Sequence, residues 1–190
     1  MTEIRTPRLR LLALDLRHLR LLRQQRHYLH EALQLQGDGL QLDAEMGKEM
    51  AQAIDYWLLN VESHPERYAW YTHWEIILRA ENRSIGGIGF NGFPDPEGNV
   101  TVGYAIDLRY QNQGYATESL RYLSDWAGQE PRLRCISAEL YQDNHASRRV
   151  LEKCDFRLER SIDQILIFQR PFAPLSSRST DSKPGKAASL

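Results

Sequence analysis

The sequence predicts a mixed α/β fold of the α+β kind, a mostly antiparallel sheet of about six to seven strands flanked by about four helices. Three observations carry that expectation. Apolar residues recur at helical spacing in four separate stretches, while aromatic and β-branched runs of strand length fill the segments between them. Three of those runs, between residues 68 and 106, follow one another with only turn residues in between, the order of antiparallel neighbours. The chain has 190 residues, 42% of them apolar and 26% charged, enough for one sizeable core and too few for several.

Residues 8–13 alternate or run apolar for strand length, and Asp15 then offers an N-cap to a leucine-rich helix reaching about Arg26. Met46, Met50, Ala53, Ile54, Trp57, Leu58 and Val61 recur at three- and four-residue steps, giving a second helix closed ahead of Pro65. Between these helices residues 34–42 hold two glycines and no period, which reads as a mobile loop over a site. Strands are expected at 68–79, 83–91 and 99–106, broken by Ala80-Glu81-Asn82 and by the turn-rich stretch 92–98. Gly86, Gly87 and Gly89 inside the middle run predict a bulge or a close backbone approach. A helix over about 115–127 carries Ala116, Leu120, Leu123 and Ala127 on one stripe. It is followed by a strand at 133–141, a helix at 144–153 and two closing strands near 156–160 and 163–169. Residues 1–170 therefore form the domain, and 171–190, rich in Ser, Pro, Lys and Ala, are expected to be a disordered tail.

No stretch approaches the roughly 18 apolar residues of a membrane span, and the start lacks the apolar core of a secretory signal. The expectation is a cytoplasmic protein with no membrane partner. A net charge of −1 and a pI near 6.6 argue against a general nucleic-acid binder. The average hides an arginine-rich start, with Arg5, Arg8, Arg10, Arg17, Arg20, Arg23 and Arg26 set against Glu3 and Asp15. Interleaved leucines make this a strand and an amphipathic helix with solvated arginines, rather than a targeting peptide or an RNA-binding arm. Cys135 and Cys154 lack metal-like spacing or a neighbouring His dyad and read as reduced structural residues. The six histidines are dispersed, and no metal is implied.

The stretch that carries chemistry runs from Gly103 to Phe156. A strand feeds Gln111-Asn112-Gln113-Gly114-Tyr115-Ala116-Thr117, where a helix opens. Backbone N–H groups at a helix start, with the positive end of the dipole behind them, form an anion pocket without a lysine. About one strand later comes Asn144-His145-Ala146-Ser147-Arg148-Arg149-Val150-Leu151-Glu152-Lys153-Cys154-Asp155-Phe156. This layout resembles the GNAT superfamily of acetyl-CoA-dependent N-acetyltransferases, in particular the branch of ribosomal-protein N-terminal acetyltransferases. Thr6-Pro7-Arg8-Leu9-Arg10-Leu11 resembles the first strand of that branch and Ser84-Ile85-Gly86-Gly87-Ile88-Gly89 its central strand. The resemblance covers roughly residues 6–170.

It implies a sheet whose central strands splay, acetyl-CoA as cosubstrate, and transfer of acetyl to a primary amine by direct attack in a ternary complex. The acceptor is a protein N-terminal α-amine, such as that of a ribosomal protein, or a small-molecule amine. By the same resemblance Gln111, Asn112, Gln113, Gly114, Tyr115, Ala116 and Thr117 hold the pyrophosphate. Ile106 and Leu108 lie along the pantetheine arm, and Asn144 and Ser147 contact it near the sulfur. Glu139 matches a general base, and it alternates with Ser137 and Tyr141 on one strand face. Ser147 or Tyr141 supplies the sulfur proton, and backbone N–H groups near Val102 to Tyr104 polarise the carbonyl.

The chain departs from the branch at three positions. Thr101 stands where a Glu is common, Asp155 where a Gly is usual, and Gln111 where many members carry Arg. Asp155 is expected to take the left-handed cap that glycine serves.

Blander readings stand beside these. Asn144 is also a good N-cap, Ser147 an ordinary first-turn residue, and Glu139 a surface carboxylate paired with Arg134 or Arg157. Trp57, Trp70, Trp74 and Trp126 read as core or cleft-wall residues, with Trp70 and Trp74, and Tyr71 and His73 on the opposite face, as candidates to line an acceptor pocket. The alternative function is a non-catalytic acyl-CoA-binding sensor or partner-binding module, and a homodimer through sheet edges and the hairpin near Phe90 and Phe93 is a further expectation.

Overall fold

The computed structural model describes residues 1–37 and 39–173, and of Glu45 the backbone only; the tail expectation from residue 174 onward lies outside them. One eight-stranded sheet has the order β1-β2-β3-β4-β5-β6-β8-β7. Its strands are β1 (Glu3–Arg5), β2 (Leu9–Ala13), β3 (Trp74–Leu78), β4 (Arg83–Phe90), β5 (Asn99–Ile106), β6 (Cys135–Tyr141), β7 (Arg157–Ile162) and β8 (Ile165–Pro171). The helices are α1 (Leu16–Gln24), α2 (Arg26–Ala32), α3 (Ala44–Ser63), α4 (Tyr115–Ala127) and α5 (His145–Lys153). Neighbours pair antiparallel except β5 and β6, which run parallel. Among the described residues no helix is long and apolar enough to cross a membrane.

The sheet has one strand more than the upper expectation because the short β1 folds back on β2, Glu3 opposite Leu12. A helix is also added. Asp15 caps α1 as expected, accepting from His18 N, but Gln25 is extended at φ −161° and breaks the leucine-rich helix, which resumes as α2. The expected strand at 68–79 begins only at Trp74. Pro65 opens a 3₁₀ turn, Pro65–Trp70, and Trp74 Nε1 donates to Ala69 O at 2.8 Å across it. The glycines of β4 do meet a register shift, between Ile76 and Ile77 of β3. Asp155 closes α5 at φ +66°, the conformation expected of it.

The main core lies between the sheet and α4, where Leu120, Leu123 and Ala127 meet Leu11, Ile76 and Ile136. Trp70 and Trp74 belong to this core, packed with Trp126, so they do not line an acceptor pocket. Phe90 is buried, and Phe93, partly buried, lies edge-on to Trp70. A second cluster of Leu14, Leu19, Leu22, Leu29 and Val61 joins α1 and α2 to α3. The early arginines are distributed among carboxylates: Arg20 to Glu62 at 3.2 Å, Arg23 to Asp55 at 3.1 Å, Arg26 to Glu75 at 2.5 Å and Arg8 to Glu118 at 2.7 Å. Cys154 is buried, and burial pushes its thiol up to about 11, which keeps it protonated.

β5 and β6 pair only from Asn99↔Cys135 to Thr101↔Ser137. Beyond that register β5 continues to Ile106 on β4 and β6 to Tyr141 on β8 without pairing to each other. The sheet is therefore split at its centre.

Candidate active site

The split opens a cleft of about 680 Å³. Its apex is the contact between Thr101 Oγ1 and Ser137 Oγ at 3.0 Å, so Thr101, which replaces an expected carboxylate, fastens the end of the strand pair. Gly87 and Gly89 of β4 and Gly103 and Ala105 of β5 pave one side, under Met50 and Trp57 of α3. Register partners Glu75↔Gly87, Gly87↔Ala105 and Gly89↔Gly103 share one sheet face. Gly89, Gly103 and Ala105 leave the backbone partly accessible there, while Gly87 is buried.

Glu139, Tyr141, Asn144 and Ser147 all line this cleft. Glu139 and Tyr141 are exposed and alternate on β6. Asn144 is the N-cap of α5, its Oδ1 accepting from Ser147 N at 3.0 Å, so the cap occupies the oxygen and not the side-chain nitrogen. Opposite them, the Tyr104 hydroxyl donates to Ser147 O at 3.3 Å, and burial raises its pKa. Tyr104 thus adds a protonated hydroxyl where the sequence drew attention only to its backbone.

The free edge of β5 follows from its register. Asn91 N donates to Thr101 O and Asp107 N to Ile85 O, so the odd-numbered residues of β5 turn their amides toward β4. By the alternation of an antiparallel ladder, the N–H and C=O groups of Tyr104 and Ile106 point into the split. Ile106 O accepts from Gln111 Nε2 at 3.1 Å. Leu108 does not share this edge. It lies past the strand in the 3₁₀ turn Leu108–Tyr110, half exposed, with its N–H donating to Gln41 O at 2.8 Å.

That last bond also corrects the expectation for residues 34–42. Buried Asp107 accepts from Gln41 N at 2.8 Å, and Arg109 donates to Gly39 O at 2.9 Å. The segment is stitched to the end of β5 instead of lying loose across the cleft; Asp38 is outside the described residues.

The loop from Gln111 to Gly114 enters α4 through Asn112 at φ +60° and Gly114 at φ +82°. Gly114 is the N-cap, and no side chain caps the helix. The first-turn N–H groups of a helix have no intrahelical acceptor and sit at the positive end of its dipole, so this turn suits an anion such as a diphosphate. The sequence reading missed the cation beside it. Arg8, more than 100 residues away, donates to Gln113 O at 3.0 Å and lies 4.4 Å over the Tyr115 ring. Glu118 holds it in place, bonding Arg8 Nε at 2.7 Å, Arg8 N at 2.9 Å and Thr6 Oγ1 at 2.5 Å. Burial acts against the Glu118 charge, but the Thr6 and Arg8 hydrogen bonds outweigh it and lower the pKa.

One further group lines the cleft. His73, 3% exposed, sits at the start of β3 with Nε2 3.0 Å from Glu75 Oε2. Glu75 is fully buried and also receives Arg26 at 2.5 Å and the Ser84 hydroxyl. Burial opposes its charge, yet Arg26 first, then His73 and Ser84, hold the carboxyl well below the usual carboxylate range.

The family model described as an acetyltransferase (GNAT) domain matches residues 8–157. The uncharacterized N-acetyltransferase YjdG of Bacillus subtilis (strain 168) is 32% identical over 88 residues, which cover 46% of this chain and 52% of that protein. The chain thus spans about half the length of this curated relative. Among solved structures, the ribosomal L7/L12 α-N-protein acetyltransferase RimL in complex with coenzyme A superposes with a TM-score of 0.65 at 22% identity, covering 90% of this chain and 98% of RimL. The ribosomal-protein-S5-alanine acetyltransferase from Vibrio fischeri does so with 0.62 at 16% identity, covering 97% and 100%. At these identities the two structures speak for the fold.

Proposed function

Because the chain belongs to the GNAT acetyltransferase family, whose domain model spans residues 8–157, we propose that it transfers the acetyl group of acetyl-CoA to a primary amine by direct attack in a ternary complex. The observation that carries this reading is the junction of two features, the split between β5 and β6 and the uncapped N-terminus of α4 that follows β5 in the chain. The amides from Asn112 to Thr117 hold the diphosphate, with Gln111 shaping the loop and Arg8 supplying the cation that Gln111 lacks. The edge of β5 at Ile106 and the side chain of Asn144 receive the pantetheine arm. Bound acetyl-CoA supplies the activated carbonyl.

The chain's own groups then orient and move charge. The Tyr104 N–H stabilises the developing oxyanion. Glu139 draws the ammonium form of the acceptor into the cleft, and Ser147 or Tyr141 passes a proton to the departing sulfur. Asp43, Glu49 and Glu139 line the cleft, with no Lys or Arg among its described lining residues, which favours a cationic acceptor. A protein α-amine, the substrate named for RimL, and a small polyamine or aminoglycoside both have this character.

The test is calorimetric titration with acetyl-CoA, then thiol release with a panel of short peptides, a linear polyamine and an aminoglycoside. Binding followed by amine-dependent thiol release is expected. Binding without turnover on any amine marks an acyl-CoA-binding module instead, and no binding overturns the reading. A Glu118→Ala variant, which frees Arg8, is expected to weaken acetyl-CoA binding about tenfold, the scale of one charge-assisted contact. An unchanged dissociation constant in the same titration removes Arg8 from the site.

A further inference from the structure

We propose that His73 is the proton acceptor for the amine substrate, with Glu75 as the buried positioning residue that fixes its ring. This rests on the acetyl-transfer reading above and assigns the base to the α3 side of the cleft instead of to Glu139.

The hydrogen-bond pattern sets the tautomer. Glu75 is ionised and can only accept, and it faces Nε2 at 3.0 Å, so Nε2 carries a proton and the neutral ring keeps its lone pair on Nδ1. Arg26 and Ser84 hold Glu75 from its other sides, which prevents the carboxylate from turning away. The strands leave room for the imidazole. A Cβ at Gly87 would overlap the His73 ring, so the ring lies on the backbone of β4, and Trp57 of α3 closes over it at 5.0 Å between ring centroids. β5 is the next strand, its backbone one strand spacing, ~4.8 Å, from that of β4, so the imidazole above Gly87 borders the space over Ala105 and Gly103. Gly89, Gly103 and Ala105 place no large side chain between them. In this arrangement the amine sits over Gly103 and Ala105, between the imidazole and the free edge of β5.

Glu139 stands on the same face across the split, since Ser137 of its row meets Thr101 of the Gly103 row. The two groups divide the work. An exposed carboxylate attracts an ammonium but is a weak base for it, whereas an imidazole is matched to proton transfer near neutrality. The ammonium gives one proton to Nδ1, producing the free amine and an imidazolium whose Nε2–H remains on Glu75. The amine lone pair forms the N–C bond as the C–S bond breaks, a second nitrogen proton passes to the sulfur, and the imidazolium returns its proton to water.

Three measurements test this. In ¹⁵N-histidine NMR of the wild-type protein, assigned with His73→Gln, Nε2 is expected to be protonated and Nδ1 bare at neutral pH; the opposite tautomer overturns the proposal whatever the turnover. His73→Gln keeps a donor for Glu75 but cannot take a proton, so kcat should fall about 100-fold or more with acetyl-CoA affinity and the amine KM little changed, whereas Glu139→Gln should mainly raise the amine KM. Added imidazole should restore turnover to His73→Ala, filling the slot above Gly87. Should the His73 variants not fold, Gly87→Ala, which displaces the ring, is expected to lower kcat in the same way. Near wild-type kcat in His73→Gln or Gly87→Ala, beside an active wild type, overturns this assignment alone; a wild type inert toward every amine overturns it together with the acetyl-transfer reading.

Discussion

A Gly114→Glu variant is expected to lose acetyl-CoA affinity by about 100-fold or more while its circular dichroism spectrum and unfolding midpoint stay close to wild type. Gly114 sits at φ +82° as the N-cap of α4, a conformation that costs a non-glycine residue roughly 1–2 kcal/mol. A domain of ordinary stability, about 5–15 kcal/mol, survives that. Binding does not, for two reasons. The new carboxylate lies where the first-turn amides would meet phosphate and occupies them itself. Arg8 Nη2 lies 3.5 Å from where a Cβ would stand, so the carboxylate also captures the nearest cation. Gly114→Ala carries the strain without the charge and should retain most of the affinity. Calorimetric titration of the three proteins decides the matter, and wild-type affinity in the Glu variant would place the phosphates elsewhere.

Glu75→Ala should destabilise the fold by about 3–5 kcal/mol, the cost of leaving a buried partner charge uncompensated. Arg26 and His73 lose their common acceptor, Ser84 loses its own, and a void opens beneath β4. Urea unfolding at neutral pH measures the effect; a loss below about 1 kcal/mol would mean that solvent replaces the carboxylate freely. The same residue sets an acid limit. Its native pKa is depressed, so its stabilisation is complete above the unfolded carboxylate value near ~4.3 and is lost as pH falls through the lower native value. Asp107 and Glu118 are shifted in the same direction and add to the slope. The gap between wild type and Glu75→Ala should therefore narrow below about pH 4 and stay constant above it.

Much of the architecture was legible because its signals are local. Helical spacing marks α3, α4 and α5, and Asp15 and Asn144 act as the caps their side chains favour. The Gln111–Gly114 entry to α4 reads as an anion turn, since one glycine and an uncapped helix start are properties of a few adjacent residues. Glu139, Tyr141, Asn144 and Ser147 converge as expected because strand alternation and one short turn bring them together. The errors share a different cause. Trp70 and Trp74 looked available for a pocket, and residues 34–42 looked loose, because a one-dimensional pattern does not report what packs from elsewhere.

The sequence by itself determined the succession of elements from β4 through β8, the turn at Gln111–Gly114 that opens α4 and the face of β6 that carries Glu139, all fixed by periodicity and turn chemistry within a few residues. The tertiary structure fixed the point, just past Thr101, at which β5 and β6 part, and it alone brought Arg8 to the turn at Gln113, 105 residues away in the chain, and His73 over Gly87 against Glu75. These depend on sheet register and on desolvation. A carboxylate such as Glu75 acquires its properties from Arg26, His73 and Ser84, which three different elements or their edges bring around it once water is excluded.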